Sequence, residues 1–290
     1  MASIRHILCP VDFSPLSDES IEKASFLATF FQADLTLLHV IPTLPKRLGM
    51  SKGRSSETLQ LVAKAEEVAR QHLRQAKKRH VPYAVKCKSL VKEGELERQV
   101  LEAIAETACD LLMVAVSGPE ISQPLKTLLT SSPCPVLTYQ GKSQRKDQGE
   151  LIKGFRNVLL PLPVDPIARE QARSSAAAFW GQMSAGVHLI MAVHPAQSPS
   201  EQLQVQALLE EEIQRYAEGH FSRVTGQLIV AEDWTEPIVA IADQHQCDLI
   251  LMPPGTIPQA AKRNGDWSHN LMQKSGRSLM SLRAMPKALA

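Results

Sequence analysis

The 290-residue chain lacks any strong charge bias: 32 Lys and Arg stand against 30 Asp and Glu. A near-neutral balance leaves no electrostatic footprint for a nucleic acid or an anionic membrane, so neither is expected as a partner. Long apolar runs are also missing. No segment approaches the roughly 18 residues that crossing a bilayer requires. The opening MASIRHILCPVDF has no basic stretch followed by an apolar one, and the expectation is a chain without a signal peptide. No two of the five cysteines (Cys9, Cys87, Cys109, Cys134, Cys247) form a C-x-x-C pair, and the nine histidines show no ligand spacing. That argues against zinc and against a disulfide framework, and predicts buried, reduced thiols in a cytoplasmic protein.

What remains is ordinary globular material, 44% hydrophobic and 21% charged, enough for two domains of about 140 residues. The first half alternates between short apolar runs and helical periods. Ile4–Val11 reads as a strand, Ser17–Phe31 as a helix with Ile21, Ala24, Ala28 and Phe31 on one face, and Leu35–Ile41 as a strand. A Pro-containing basic loop, Pro42–Arg54, precedes a polar helix at Glu57–Arg79. Tyr83–Val91 (strand), Leu96–Thr107 (helix), Leu111–Val116 (strand), Gln123–Leu129 (helix) and Pro135–Tyr139 (strand) complete the unit. Near-continuous apolar strands alternating with helices predict a parallel sheet covered by helices. The polar stretch Gly141–Glu150 (GKSQRKDQGE) reads as a linker.

The second half begins again. NVLLPL at Asn157–Leu162 echoes HILCPV at His6–Val11, and VHLIMAV at Val187–Val193 echoes LTLLHV. The helix Glu201–Glu218 matches the long polar helix, and IVAIADQHQCDLIL matches VLEAIAETACDLLM with the Cys-Asp pair in register. The chain is therefore read as a duplication, with domains at 1–140 and 151–290 joined by 141–150.

IRHILCPVDFS, ADLTLLHV, VKEGELERQVLEAIAETACDLLMVAVSG and SSPCPVLTY, in that order, resemble the universal stress protein family. The resemblance spans Ile4–Tyr139 and, more faintly, Arg156–Ala290. It implies two tandem, doubly wound α/β domains of the adenine nucleotide alpha hydrolase-like type. Each would have five parallel strands in the order 3-2-1-4-5, packed as an intramolecular pseudo-dimer through the strand-5 edges at Pro135–Tyr139 and Met285–Leu289. A further homodimer is compatible with it. In such sheets a ligand sits beyond the carboxyl ends of the strands where strand order reverses, here between Asp12 and Ser117–Gly118.

ATP-binding members of that family use Pro-x-Asp after strand 1, a valine ending strand 2, and after strand 4 the loop G-x-x-G, an arc of about nine residues, then G-[S/T], whose backbone N–H groups meet phosphate. Pro10, Asp12 and Val40 match the front of this pattern, Gly118 matches the second loop glycine, and Ala115 stands where the first should be. PEISQPLKTLLTSSPCPV then contains no glycine, and Glu120 adds a carboxylate where phosphate should lie. The base-and-ribose half of an ATP or AMP site is thus expected without the phosphate half. In the second repeat Pro163 replaces Asp12, with Asp165 two residues on, and Met252-Pro253-Pro254-Gly255 replaces the glycine loop. Proline has no N–H to offer phosphate, the segment Thr256–Ser268 does not fit the pattern, and Gly276-Arg277-Ser278 lies too far along to be the missing step.

Plainer roles compete at each position. Asp12 can end a strand and help cap the next helix beside Ser14-Pro15, Asp110 and Asp248 read as turn residues, and His39, Trp180 and Trp234 as packing residues. Trp267 and the basic Lys46–Arg54 are candidate partner contacts, with a solvated loop preferred for the latter. No nucleophile, base and orienting group assemble from the text. The reading is a non-catalytic regulatory or binding protein of the stress-response type with an unidentified protein partner; the alternative is an ATP- or AMP-binding switch using the first domain alone.

Overall fold

A computed structural model describes residues 4–43, 56–117, 122–141, 155–180, 183, 185–219, 221–253 and 267–282. The strands are β1 (His6–Pro10), β2 (Asp34–Ile41), β3 (Cys87–Glu93), β4 (Leu111–Ala115), β5 (Val136–Tyr139), β6 (Asn157–Pro161), β7 (Gly186–Val193), β8 (Arg223–Val230), β9 (Leu249–Met252) and β10 (Ser278–Ser281). The helices are α1 (Pro15–Phe31), α2 (Ser56–His80), α3 (Leu96–Thr107), α4 (Gln123–Ser131), α5 (Pro166–Trp180), α6 (Pro199–Ala217), α7 (Thr235–Gln244) and α8 (Trp267–Ser275).

The chain divides into two compact units, one holding Ile4–Ala115 with Gln123–Ser132 and the other holding the second repeat together with β5. In the first unit the strands run β3-β2-β1-β4, all parallel. The order turns back at β1, and right-handed crossovers then send α1 and α2 to one face and α3 and α4 to the other. Accordingly α1 packs on α2, and α3 on α4. Ile7, Leu8, Leu35, Leu37 and Leu112 are fully buried between those layers, as strands covered on both faces require.

The second unit repeats the plan as β8-β7-β6-β9-β10, again parallel. Beside β10 lies β5, antiparallel, with Leu137 opposite Met280 and Val136 opposite Ser281. Thr138 fixes this register by exchanging bonds with Leu279, its Oγ1 donating to the carbonyl (3.1 Å) and accepting from the N–H (3.0 Å). β5, read from sequence as closing the first domain, thus groups with the second repeat.

Two strands depart most from the sequence reading. The third strand starts at Cys87 rather than Tyr83, because the Val85 N–H closes a turn on the Pro82 carbonyl (3.0 Å) and leaves Tyr83 fully exposed. The last strand is Ser278–Ser281 rather than Met285–Leu289, which lies outside the described residues. Its Leu279 and Met280 are buried against Ile250 and Leu251 of β9. Gly276-Arg277-Ser278 is the turn from α8 into this strand. Gly276 takes φ +57°, and the buried Arg277 donates from Nε to the Cys247 carbonyl (2.7 Å) and from its guanidinium to Asp243.

The repeated Cys-Asp pair has a structural explanation. Asp110 accepts from the N–H groups of Arg5 (2.8 Å) and His6 (3.0 Å) where β1 begins. Asp248 does the same for Arg156 (2.9 Å) and Asn157 (3.3 Å) at the start of β6. Each carboxylate satisfies strand-edge donors that the ladder leaves unpaired. The residue before each cysteine, Ala108 or Gln246, turns the chain with a positive φ of 49° or 50°. The cysteines themselves are all buried, and none is joined in a disulfide. Burial pushes the Cys9 thiol up to about 12 and the Cys87 thiol to about 11.

Candidate functional site

Where strand order reverses in the first unit, the carboxyl ends of β1, β2 and β4 open into a cleft of about 920 Å³, within the roughly 300–1,000 Å³ usual for small-molecule sites. Pro10, Val11, Val40, Val114 and Ala115 supply apolar surface, Asp12 and His39 polar groups, and the junction from Glu93 to Gln99 a further wall. Of the site residues expected from sequence, Pro10, Asp12, Val40 and Ala115 are brought together here. Gly118, like Glu120, Pro254, Gly255 and Lys46–Arg54, lies outside the described residues.

Asp12 sits in a closed hydrogen-bond ring. Its Oδ1 accepts from the Ser14 N–H (3.0 Å) and the Ser17 hydroxyl (2.5 Å), while its own N–H donates to Ser17 Oγ (3.0 Å). Ser14 in turn caps α1 by accepting from the Ser17 N–H (3.2 Å), with Pro15 in the first turn. Burial alone would raise the Asp12 pKa, but the hydrogen bonds from Ser14, Ser17 and the backbone prevail and hold it below the usual carboxylate value. The capping role and the cleft role therefore coincide: one carboxylate oxygen braces the turn at the cleft mouth.

The ring requires Phe13 to adopt φ +63°, a conformation that costs a residue with a Cβ about 1–2 kcal/mol. Its phenyl ring stacks on His39 (centroids 4.3 Å) and meets His72 edge-on at 5.0 Å. His39 Nδ1 lies 2.8 Å from the Val11 carbonyl. A carbonyl only accepts, so Nδ1 carries the hydrogen. His39 is thus both a packed residue and part of the cleft lining.

Sequence reasoning passed over Ser17 and the β3–α3 junction as site residues. The available signal was EGE at Glu93–Glu95, a glycine between a strand and a helix. Gly94 takes φ +149° and donates its N–H to the Ile41 carbonyl (3.0 Å), and a Cβ there would press on the Gln99 side chain at 3.1 Å.

The second repeat builds the same turn differently. Asp165, the counterpart of Ser14, accepts from the Ala168 N–H (2.7 Å) and caps α5, while Pro163 occupies the place of Asp12. Trp234 is half-buried, with its indole N–H on the Ala231 carbonyl (3.1 Å); the side chains of Trp180 and Trp267 lie outside the described residues. Among the described residues, no group of three or more His, Cys, Asp or Glu is placed to hold a metal ion, and no helix is long and apolar enough to cross a membrane.

A doubly wound parallel α/β sheet with an Asp-bearing cleft at its switch point is the class the first unit defines. Residues 3–140 match the universal stress protein family. Among solved structures, a universal stress protein from Archaeoglobus fulgidus DSM 4304 aligns over 98% of this chain and 97% of its own, at 13% identity and TM-score 0.66. A functionally unknown protein from Pseudomonas aeruginosa PAO1 aligns over 97% and 93%, at 16% identity and TM-score 0.58. At these identities the likeness is one of fold, and it extends across both repeats. No curated protein matches the chain.

Proposed function

We propose that the protein is a non-catalytic, stress-response regulatory protein that holds the adenosine part of a small ligand in its first repeat. The observation that carries this reading is the meeting of Pro10, Asp12, Val40 and Ala115 around one cleft at the reversal of strand order. An apolar floor suits a purine face, and the Asp12 carboxylate suits ribose hydroxyls. The second repeat has Pro163 in the Asp12 position and Pro253-Pro254 after β9, which supports placing the ligand in the first repeat. The role of the second repeat is to complete an intramolecular pseudo-dimer, a reading supported by the antiparallel pairing of β5 with β10. The glycine-free text after Gly118 argues that triphosphate is not gripped as in ATP-binding relatives.

Isothermal titration of the whole chain with adenosine, AMP and ATP tests the reading. Binding is expected in the micromolar range with one site per chain, and Asp12→Ala should weaken it at least tenfold. Asp12→Asn, which can still accept from Ser14, controls for loss of the turn. ATP bound far more tightly than AMP would favour a nucleotide switch instead, and no binding by any of the three would overturn the proposal.

A further inference from the structure

Among the described residues, the charge lining the cleft is one-sided. Its lining carries the carboxylates of Asp12, Glu93, Glu95 and Glu97, and among the described residues a single guanidinium, Arg98. Arg98 already donates from Nε to Glu102 (2.9 Å), one turn along α3. The part of the wall best suited to an anion is the start of α3, where backbone N–H groups have no helical partner. Glu95 stands there as the N-cap without a side-chain capping bond, and Glu97 lies in the first turn. These carboxylates meet the positive end of the helix themselves. A phosphate arriving at this wall would meet like charges rather than unpaired cations.

We propose that the cleft selects a nucleoside without phosphate, uncharged or positively charged, over a nucleotide. This rests on the adenosine reading above and names the ligand class within it. An apolar floor and Asp12 recognise base and sugar; the acidic wall rejects a phosphate carried on the 5′ carbon.

The test compares adenosine, AMP and ATP on the whole chain at low and at high salt, each with and without magnesium. A parallel series uses the Glu95→Gln/Glu97→Gln double variant, with its fold checked by circular dichroism. Adenosine is expected to bind roughly tenfold more tightly than AMP at low salt, ATP more weakly still. The gap should narrow at high salt, where charges are screened, and in the double variant, through a gain in AMP affinity that exceeds any change in adenosine affinity. AMP or ATP binding as tightly as adenosine, with or without magnesium, would overturn the selection and leave the adenosine site standing. A gap insensitive to both salt and the double variant would overturn the role given to the acidic wall. Absence of binding by every adenine compound would remove the site and the inference together.

Discussion

At the residue scale, Asp12 joins local folding to the site. Its ionised form holds Ser14 and Ser17, and its folded pKa lies below the unfolded value. The stability it contributes is therefore complete above the unfolded pKa and lost as pH falls through the folded one. Asp12→Ala is expected to cost about 1 kcal/mol in urea unfolding, the usual worth of a lost cap-type bond. No change in midpoint would show that the ring is not formed in solution. Ala108 supplies an opposite case. It is exposed and ends α3 at φ 49°, so Ala108→Gly should raise stability by about 0.5–1 kcal/mol. A lower melting temperature would contradict the left-handed cap. Asp12 was legible in the sequence because Pro-x-Asp sits at a strand end. The φ of Phe13 was not, since it follows from the hydrogen-bond ring and not from residue type, nor was the role of Asp110, whose partners Arg5 and His6 lie more than a hundred residues away.

At the element scale, β8 and β7 make predictions that differ in kind. Gly226 on β8 allows α6 to approach, for a Cβ there would lie 2.9 Å from Ile213 Cδ1 and 3.0 Å from the Leu189 carbonyl oxygen. Gly226→Ala is expected to destabilise by about 1–3 kcal/mol, read from thermal or denaturant unfolding; a neutral effect would mean that α6 stands farther off. On β7, His188 stacks on His245 (centroids 3.7 Å) and donates to or accepts from Thr225 Oγ1 at 2.7 Å, while both Nε2 atoms are buried without a partner. Burial, then the neighbouring His245 and Arg223, lower the His188 pKa to about 4 against a bonding contribution from Gln227. Between pH 6.5 and about 4 the unfolded chain takes up a proton that the folded one refuses, so stability should fall as pH drops through that window. His188→Gln should flatten that part of the pH–stability curve; an unchanged slope would rule the pair out as its source. Element positions were mostly legible, because strand and helix periods are local. The start of β3 and the whole of β10 were not: the first is delayed by a turn at Pro82, and the second is a serine-flanked run too short to show a period.

At the scale of the whole molecule, duplication explains the repeated text and selective loss explains its differences. The Cys-Asp pairs and the cap-Pro turns persist in both halves because each performs a backbone task that the fold needs twice. Asp12, by contrast, has a proline, Pro163, at the corresponding place in the second half. The pairing of β5 with β10 also carries a prediction. A fragment ending at residue 140 would leave an open strand edge, and it is expected to self-associate in light scattering while the whole chain does not use that edge. A strictly monomeric fragment would show that β5 needs no partner. The five buried thiols should stay unreactive towards a thiol reagent until the chain is unfolded.

The central claim is that the first repeat alone holds an adenosine-type ligand at the reversal of its strand order. Titration of the isotopically labelled whole chain with adenosine, followed by amide chemical shifts, tests it most directly. The predicted result is saturable shifts at Val11–Phe13, Val40–Ile41, Gly94–Gln99 and Ala115, with Leu162, Val164, Asp165 and Met252 unmoved. Shifts centred on the second repeat, or none in either, would contradict the account.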